Sequence, residues 1–391
     1  MNTLQFIDLL NMIYGKKPVD INKIQEYGLL AVKIGQVHAL RLDFLPVETC
    51  RELSKLYQFN NEIPAENVLN KIDLNIYDKI DKKPIATASV GQVYKAKYKN
   101  KDVAIKIIKG DFKKKFTEDV ISVRKFAKLI LFFYPKLHKV FNPLGVLRHI
   151  EEYTLDELDL RKEIKGQQVL RDIYDKWKNK YDLSVLKFPK IYKNLSSANI
   201  MVSEFIPGET FEDLLTQKKL SYEKLLDLFY VHGLYVFRIG TFHGDIHPGN
   251  IMMHNDKMYF IDTGAISHAS TRLSQGLLNF FESLGKWDYE KCAYFLNQMA
   301  EIRISGNRYE KFKIKFIDLY QDFTNSTVSQ ISLTKKMMQT IKLGVLNGMV
   351  FEDSMFPVIK SLMYLDGMVL RCNPEAVLLK DMQKFYKELK I

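Results

Sequence analysis

The chain has 391 residues, 47% hydrophobic and 27% charged, with only 11 prolines and 19 glycines, which excludes disordered, collagen-like and linker-dominated proteins. At roughly 150 residues per domain, the length implies two to three compact units. A net charge of +12, from 58 Lys+Arg against 46 Asp+Glu, favours phosphates or an anionic membrane surface as partners; with no zinc-finger, basic-zipper or RNP pattern, nucleic acid is not expected.

In chain order, Met1 to Tyr14 carries Phe6, Leu9, Leu10 and Ile13 at helical spacing, but Asp8 comes early and no arginine precedes Arg41. A signal or transit peptide is therefore not expected. The helical period continues through Ile24, Leu29, Val32, Val37 and Leu40, stops at Leu45-Pro46, and resumes at Leu53, Leu56 and Tyr57. The period then changes. Val93–Tyr98 and Val103–Ile108 read as strands joined by a turn at residues 99–102. Helical pattern returns from about 113 to 180, and Ile200–Ser203 reads as another strand. From about 209 the chain is mostly helical, except for a loop and strand region between His243 and Gly264. The order predicts an α+β fold rather than alternating α/β.

The lysines at 109, 113, 114, 115, 125 and 128 with Arg124, then those at 176, 178 and 180, read as solvated helix faces, with a membrane-facing surface as the sharper alternative. The longest apolar run, Phe126 to Tyr134, is interrupted by Lys128 and falls short of the ~18 residues a membrane span needs. Cys50, Cys292 and Cys372 are odd in number and far apart, which fits a reducing, intracellular compartment. A soluble or peripheral membrane protein is expected. The apolar period through Ile341, Leu343, Leu346 and Met349 reads as core in a C-terminal region, about 300 to 391, that carries no legible motif.

The strongest chemical signal is His243-Gly244-Asp245-Ile246-His247-Pro248-Gly249-Asn250, followed by Asp262 in Ile261-Asp262-Thr263-Gly264. Phosphoryl transfer needs a carboxylate at the acceptor, an amide and a carboxylate on Mg²⁺, and a lysine on the phosphates. Asp245, Asn250 and Asp262 suit the first three parts. Lys106, in Val103-Ala104-Ile105-Lys106, suits the fourth, and alternation sends it to the face opposite Ile105. Upstream, Ala86-Thr87-Ala88-Ser89-Val90-Gly91-Gln92-Val93 stands where a glycine-rich phosphate loop would, with alanines for the first two glycines. A Cβ restricts positive φ, so this loop should be stiff, disfavouring an ordinary ATP pose and favouring ADP. That lysine needs an acidic partner, and Glu157 to Glu163, on a predicted helix, offers candidates; Glu163 lies 57 residues past Lys106, a spacing that implies an inserted helical segment. His243 is expected to hold the loop by hydrogen bonds, with His247 open between packing and the site.

These motifs resemble the UbiB/ADCK family of atypical protein-kinase-like proteins. Its K-x-G-Q signature reads Lys33-Ile34-Gly35-Gln36, followed by Arg41 to Pro46. Its alanine-rich loop is similar to Pro84 through Tyr94, its E-x-D motif is Glu157-Leu158-Asp159, with Glu163 matching the ion-pair partner of the lysine at Lys106, and its H-A-D-P-H-P-G-N is matched by His243 to Asn250. The resemblance runs from about residue 27 to about 290. It implies a bilobal kinase-like fold: a helical extension (1–79), a small lobe with inserted helices (80–203) and a helical large lobe (204–391). It implies ATP or ADP with Mg²⁺ as cofactors. Ala86, Thr87, Ala88, Ser89, Val90, Gly91, Val93, Ala104 and Lys106 would then face the nucleotide, with backbone near Glu204, Phe205 and Ile206 at the adenine. Lys33, Gly35 and Gln36 would fold over the nucleotide near Glu157 and Asp159, making peptide phosphorylation less expected than ATPase or small-molecule chemistry. A role in ubiquinone or other isoprenoid-lipid metabolism follows, with an isoprenoid lipid, a membrane surface or biosynthetic complex partners. Gly244, Ile246, Thr87 and Thr263 depart from the pattern. Gly244 and Asp-Thr-Gly lean toward aminoglycoside- or choline-type small-molecule kinases, one alternative; a nucleotide-binding scaffold without turnover is the other.

Overall fold

The strands, in chain order, are β1 (Lys79–Ile80), β2 (Ala86–Thr87), β3 (Gly91–Tyr98), β4 (Lys101–Ile108), β5 (Leu186–Lys187), β6 (Ile200–Glu204), β7 (Glu209–Thr210), β8 (Thr241–His243), β9 (Ile251–His254), β10 (Lys257–Phe260) and β11 (Ile266–His268). The structure, a computed structural model, describes the chain apart from residues 16, 40–44, 58–62, 89, 134–142 and 391. It divides into two units: Met1–Ile164 with Lys190–Phe205, and Lys165–Pro189 with Ile206–Ile391.

In the first unit β1, β3, β4 and β6 form an antiparallel sheet in that order, and β2 also pairs with β3. The turn between β3 and β4 is two residues long. Lys99 and Asn100 take φ of 49° and 60°, the mirror-image turn whose twist matches a tight hairpin. Side chains alternate across the sheet. Tyr94, Ala96, Val103, Ile105, Ile107 and Val202 are buried against Val68, Leu69 and Tyr77. Cross-strand partners share a face, so Ala86↔Val93, Val93↔Lys106, Lys95↔Ala104 and Lys106↔Met201 set Ala86, Val93, Ala104 and Lys106 on the opposite side.

The helices of this unit share a second core. Leu9 and Ile13 come from Thr3–Tyr14, Ile24 from Ile21–Glu26, Leu30 and Ile34 from Leu29–Ala39, and Leu53 from Val47–Ser54; they meet Phe116 and Val120 of Phe112–Phe133 and Leu147 and Ile150 of Pro143–Glu157. The N-terminal helices and those after β4 are thus one packed body, each fully buried aliphatic contributing about 1.5–3 kcal/mol. One basic residue departs from the expected solvated face. Lys109 is 5% exposed, and burial pushes its pKa down to about 8. Arg124 pairs with Glu151 instead of facing solvent alone.

In the second unit β5, β10, β9 and β7 form a four-stranded sheet, β5 running parallel to β10, and β8 pairs with β11. The β9–β10 hairpin turns on Asn255 and Asp256, both at positive φ. Before β8 the helix Tyr222–Gly233 passes into a π-helical segment, Leu234–Ile239; Gly240, at φ 78°, ends it by donating to the Tyr235 carbonyl at 2.9 Å. The core is aromatic, with Phe280 and Phe281 of Thr271–Gly285 packed among Phe312, Phe316, Tyr320 and Tyr386. The C-terminal helices Leu333–Leu346 and Met355–Cys372 close it. Met349 is buried, and Ile341 and Leu343 pack against this core, but Leu346 is 75% exposed: its helix ends there, so the period no longer keeps it inward. No helix among the described residues is long and apolar enough to cross a membrane.

Candidate functional site

Lys106 projects from β4, and its ammonium meets the Glu163 carboxylate at 2.6 Å; the side chains are 13% and 8% exposed. Glu163 sits in the first turn of the helix Leu160–Trp177, whose start is tied down by Leu160 N–H donating to the Ala198 carbonyl at 2.8 Å. An acid there is favoured by the helix dipole. Removing one partner of a buried pair costs about 3–5 kcal/mol, so the two side chains hold each other in place.

Of the alanine-rich segment, Ala86 and Thr87 are in strand geometry and Val90 lies in a bend. Ala86 and Thr87 form β2, Ala88 N–H donates to the Gly91 carbonyl at 2.8 Å, and Lys109 N–H to the Val90 carbonyl at 2.9 Å. None of Ala86, Thr87, Ala88 and Val90 has positive φ, which is the backbone an alanine favours and a phosphate-wrapping glycine does not need. Ser89 lies outside the described residues, as do Arg41 to Phe44 of the segment after Gln36. Gln92 has a role the sequence reading missed. Fully buried, it accepts from Ile63 N–H at 3.0 Å and donates to the Ile63 carbonyl at 3.1 Å and to Tyr94 Oη at 3.0 Å, pinning the approach to the helix Ala65–Leu69 onto the sheet.

Lys33, Gly35 and Gln36 lie on the helix Leu29–Ala39 and are buried. Lys33 pairs with Glu157 and lies 5.8 Å from the Tyr153 ring centroid. Gln36 donates to the Leu56 carbonyl at 3.1 Å. A Cβ on Gly35 would run into Cδ1 of the buried Leu56 side chain, which would have to shift to make room. Asp159 is not part of that cluster. It accepts from the Arg161 backbone N–H at 3.1 Å and from the Arg161 guanidinium, which holds its carboxyl below the usual range.

At the start of the second unit's main segment, Ile206 is buried and its carbonyl accepts from Gly208 N–H at 2.9 Å. In the first unit, Glu204 N–H and carboxylate both engage Lys190, and Phe205 N–H donates to the Asp102 carbonyl at 3.3 Å while Lys95 stands 4.4 Å over its ring. The N–H groups of Glu204 and Phe205 are therefore already engaged within the protein.

The His243–Asn250 loop of the second unit is internally braced. His243 is buried; its Nδ1 accepts from Asp245 N–H at 3.1 Å and its Nε2 faces the Ile261 carbonyl at 3.4 Å, and burial pushes its pKa down, keeping the ring neutral. It holds the loop, as expected. His247 does the same one turn later, its Nδ1 accepting from Gly249 N–H at 3.0 Å and its ring packing edge-on against Tyr364, 5.2 Å away. Asn250 Nδ2 donates to the Asp245 carbonyl at 3.0 Å, so its amide nitrogen is engaged in the loop and its side-chain oxygen is the atom with lone pairs to offer a cation. The β9–β10 hairpin then brings the next residue round. Ile251 faces Phe260, and Ile261 N–H donates to the Asn250 carbonyl at 3.0 Å, so Asn250 and Asp262 flank the open end of one hairpin. Asp262 itself is at φ 51°, a conformation that is uncommon outside glycine and is found at functional sites.

Asp245 has a partner that no motif announces. Lys360, from the helix Met355–Cys372, places its ammonium 2.9 Å from Asp245 Oδ1. Burial would raise the Asp245 pKa, but the Lys360 charge and hydrogen bond override it, with His243 and His247 adding to the effect, and the net direction is down. Gly166 was also silent in the sequence. A Cβ there would overlap the Thr263 carbonyl, so the helix backbone and the Asp-Thr-Gly backbone touch directly. Gly244 has a similar explanation: its N–H donates to the Ala265 carbonyl at 2.6 Å, and a Cβ would collide with Ser267. The glycine that leaned toward small-molecule kinases is accounted for by the β8–β11 pairing.

The ABC1 atypical kinase-like domain family matches residues 60–296, more than half of the chain. The chain belongs to this family. Among curated proteins, this ABC1 member is 27% identical over 384 residues to the probable protein kinase UbiB of Blochmanniella pennsylvanica, covering 93% of this chain and 68% of that one. It is 26% identical over 376 residues to the UbiB of Aliivibrio fischeri strain MJ11, covering 90% and 66%. The chain thus spans about two thirds of the length of these relatives. Among solved structures, Rv3197 of Mycobacterium tuberculosis, determined as a complex with erythromycin, aligns over 95% of both chains with a TM-score of 0.52 and 18% identity. That likeness extends the shared kinase-like α+β fold over nearly the whole chain. Lys33 to Gln36 and Lys360 lie outside the span the ABC1 family covers, whereas Lys106, Glu163, Asp245, Asn250 and Asp262 lie within it.

Proposed function

We propose that this ABC1 protein binds a nucleoside triphosphate or diphosphate with Mg²⁺ and transfers or hydrolyses the terminal phosphoryl group. The observation that carries the reading is the loop in which Asp245 and Asn250 are braced together while the hairpin sets Asp262 beside Asn250. A side-chain amide oxygen and a carboxylate are hard oxygen donors, the set that Mg²⁺ takes in phosphoryl-transfer sites. Asn250 and Asp262 would hold the ion, which when bound neutralises charge on the phosphates. Lys106, steadied by Glu163, supplies a fixed positive charge for phosphate oxygens. Asp245, ionised next to Lys360, orients the acceptor's O–H and takes its proton late, since a carboxylate of lowered pKa is a weak base. Ala86, Val93 and Ala104, on the Lys106 face of the sheet, offer a small-residue surface for the base.

The buried Lys33–Glu157 pair favours water or a small acceptor over a peptide, because it fixes the helix Leu29–Ala39 rather than leaving it open to rearrange. Similarity to UbiB proteins directs the reading toward ubiquinone or other isoprenoid-lipid metabolism, at or near an anionic membrane surface. Phosphate release from Mg-ATP, with and without anionic liposomes, tests it. Wild type should release phosphate and Asp262→Asn should not, with a further rise on liposomes. Nucleotide binding with equal release by wild type and Asp245→Asn would instead favour a scaffold without turnover.

A further inference from the structure

The helix Met355–Cys372 lies beyond the span the ABC1 family covers, in a region whose sequence carries no motif. It has two working faces. Val358, Leu365, Met368 and Val369 are buried in the core of the second unit. Lys360, Tyr364 and Arg371 follow one another at i, i+4 and i+11, which at 3.6 residues per turn sets them within about 40° of one another around the helix. All three serve the His243–Asn250 loop. The Lys360 ammonium is 2.9 Å from Asp245 Oδ1. The Tyr364 ring stands edge-on to His247. The Arg371 guanidinium grips both carboxylate oxygens of Glu212, at 2.8 and 2.9 Å, on the helix Phe211–Thr216, and that helix packs against Pro248–Asn250.

We propose that Lys360 is a positioning residue for the phosphoryl transfer: it fixes Oδ1 of Asp245 and so makes Oδ2 the oxygen that meets the acceptor. The inference rests on the phosphoryl-transfer reading above. In it Lys360 touches neither nucleotide nor acceptor and acts only through Asp245.

The two carboxylate oxygens are not equivalent. Oδ1 is buried, and the Lys360 ammonium is the cation set against it. The Asp245 side chain is nevertheless 24% exposed, so that exposure belongs to its other atoms. Oδ2 accepts no hydrogen bond among the described residues, which leaves its lone pairs for an acceptor O–H. The Asp245 main chain is held separately, its N–H donating to His243 Nδ1 at 3.1 Å and its carbonyl accepting from Asn250 Nδ2 at 3.0 Å. These bonds set the backbone but not the carboxylate plane, because the last torsion of an aspartate is broad and roughly two-fold. The lysine supplies what the loop lacks. Its own side chain is 13% exposed, lies 5.7 Å from the Tyr364 ring centroid and rises from a helix seated in the core. The loop thus places the aspartate, and the helix turns its carboxylate. That orientation matters for rate, since misplacing a reacting group by about 1 Å can cost about 100-fold.

The test measures Mg-ATP turnover and calorimetric Mg-ADP binding on the full chain. The proteins compared are wild type, Lys360→Met, Lys360→Gln, Lys360→Arg, Asp245→Asn and the double variant Lys360→Met with Asp245→Asn. Circular dichroism checks each fold, and Lys360→Gln, alone and with Asp245→Asn, carries the test if Lys360→Met does not fold. The expected result is a kcat about 10–100-fold lower in Lys360→Met and Lys360→Gln, with KM for ATP and affinity for ADP within about twofold of wild type. Lys360→Arg, which keeps a cation on Asp245, should turn over at least about threefold faster than Lys360→Met. The double variant should turn over within about twofold of Asp245→Asn, because a residue that acts through Asp245 then has nothing left to position. A further loss above about threefold in the double variant overturns the proposal and gives the lysine a role apart from Asp245. Unchanged or faster turnover by Lys360→Met and Lys360→Gln also overturns it. So does loss of ADP binding together with turnover in folded variants, which makes the pair structural only. Wild type that binds ADP but turns over no faster than Asp245→Asn brings down the phosphoryl-transfer reading and this proposal with it, whereas the other overturning results leave that reading standing.

Discussion

Asp262 sits at φ 51°, a strained backbone for a residue with a Cβ, and two glycines nearby are there because a Cβ would not fit. At Gly166 the obstacle is the Thr263 carbonyl, a backbone atom that cannot swing away. Gly166→Ala should displace the Asp-Thr-Gly segment and lower Mg-dependent turnover by more than tenfold, even where circular dichroism shows the fold retained. At Gly244 the nearest obstacle is the Ser267 hydroxyl, which can rotate, although Ser267 Cβ and the Ala265 carbonyl, each 3.2 Å from the added carbon, remain. Gly244→Ala should therefore cost about 1–3 kcal/mol in urea unfolding, the range of modest overpacking, and Ser267→Ala in the same chain should recover part of it.

Among the elements, two short hairpins position the candidate site residues. The β3–β4 turn at Lys99-Asn100 puts Lys106 on the face shared with Val93, and the β9–β10 turn at Asn255-Asp256 brings Asp262 back beside Asn250. Both turns need positive φ at two successive residues, and glycine meets that need most easily. Asp256→Gly, giving the Asn-Gly sequence preferred in such turns, should stabilise the protein by about 0.5 kcal/mol, read as a raised urea midpoint. The lost ion pair with Lys224, 3.7 Å away and highly exposed on the Asp256 side, weighs little against it. In β2 the opposite holds. Ala86 is paired to Val93 in extended backbone, so Ala86→Gly should destabilise by about 0.5–1 kcal/mol. It should leave the ATP-to-ADP preference altered if alanine at this position sets the nucleotide pose; calorimetric titration with both nucleotides measures it.

For the molecule as a whole, acid sensitivity is built into the aromatic core of the second unit. His232 is buried with neither ring nitrogen hydrogen-bonded to the protein, its ring edge-on to Phe242, and burial pushes its pKa down to about 3. His243 is shifted in the same direction by burial. As pH falls below about 6.5 the unfolded chain takes up protons on these rings and the folded protein does not. Stability is thus full above that pH and is lost progressively as pH falls toward 3. Melting temperatures at pH 7.5 and 4.5 should differ more for wild type than for His232→Leu, which removes the His232 contribution.

Much of this was legible in the residues themselves. The change of period at about residue 90, the turn between two strands and the placing of Lys106 on the face opposite Ile105 follow from rules that act over a few residues, alternation and turn geometry, and the spacing of Asp245, Asn250 and Asp262 is what singled them out as candidates. The pairing of Lys106 with Glu163 was legible only through resemblance, because 57 residues and several helices intervene. What the tertiary structure alone decided has a common cause. Lys360 on Asp245, Gly166 against Thr263, Gln92 on Ile63 and the burial of Lys109 each depend on which surfaces meet when distant segments pack. A helix period announces that a face is buried; it does not announce the one side chain on that helix whose length and charge carry it across to another segment.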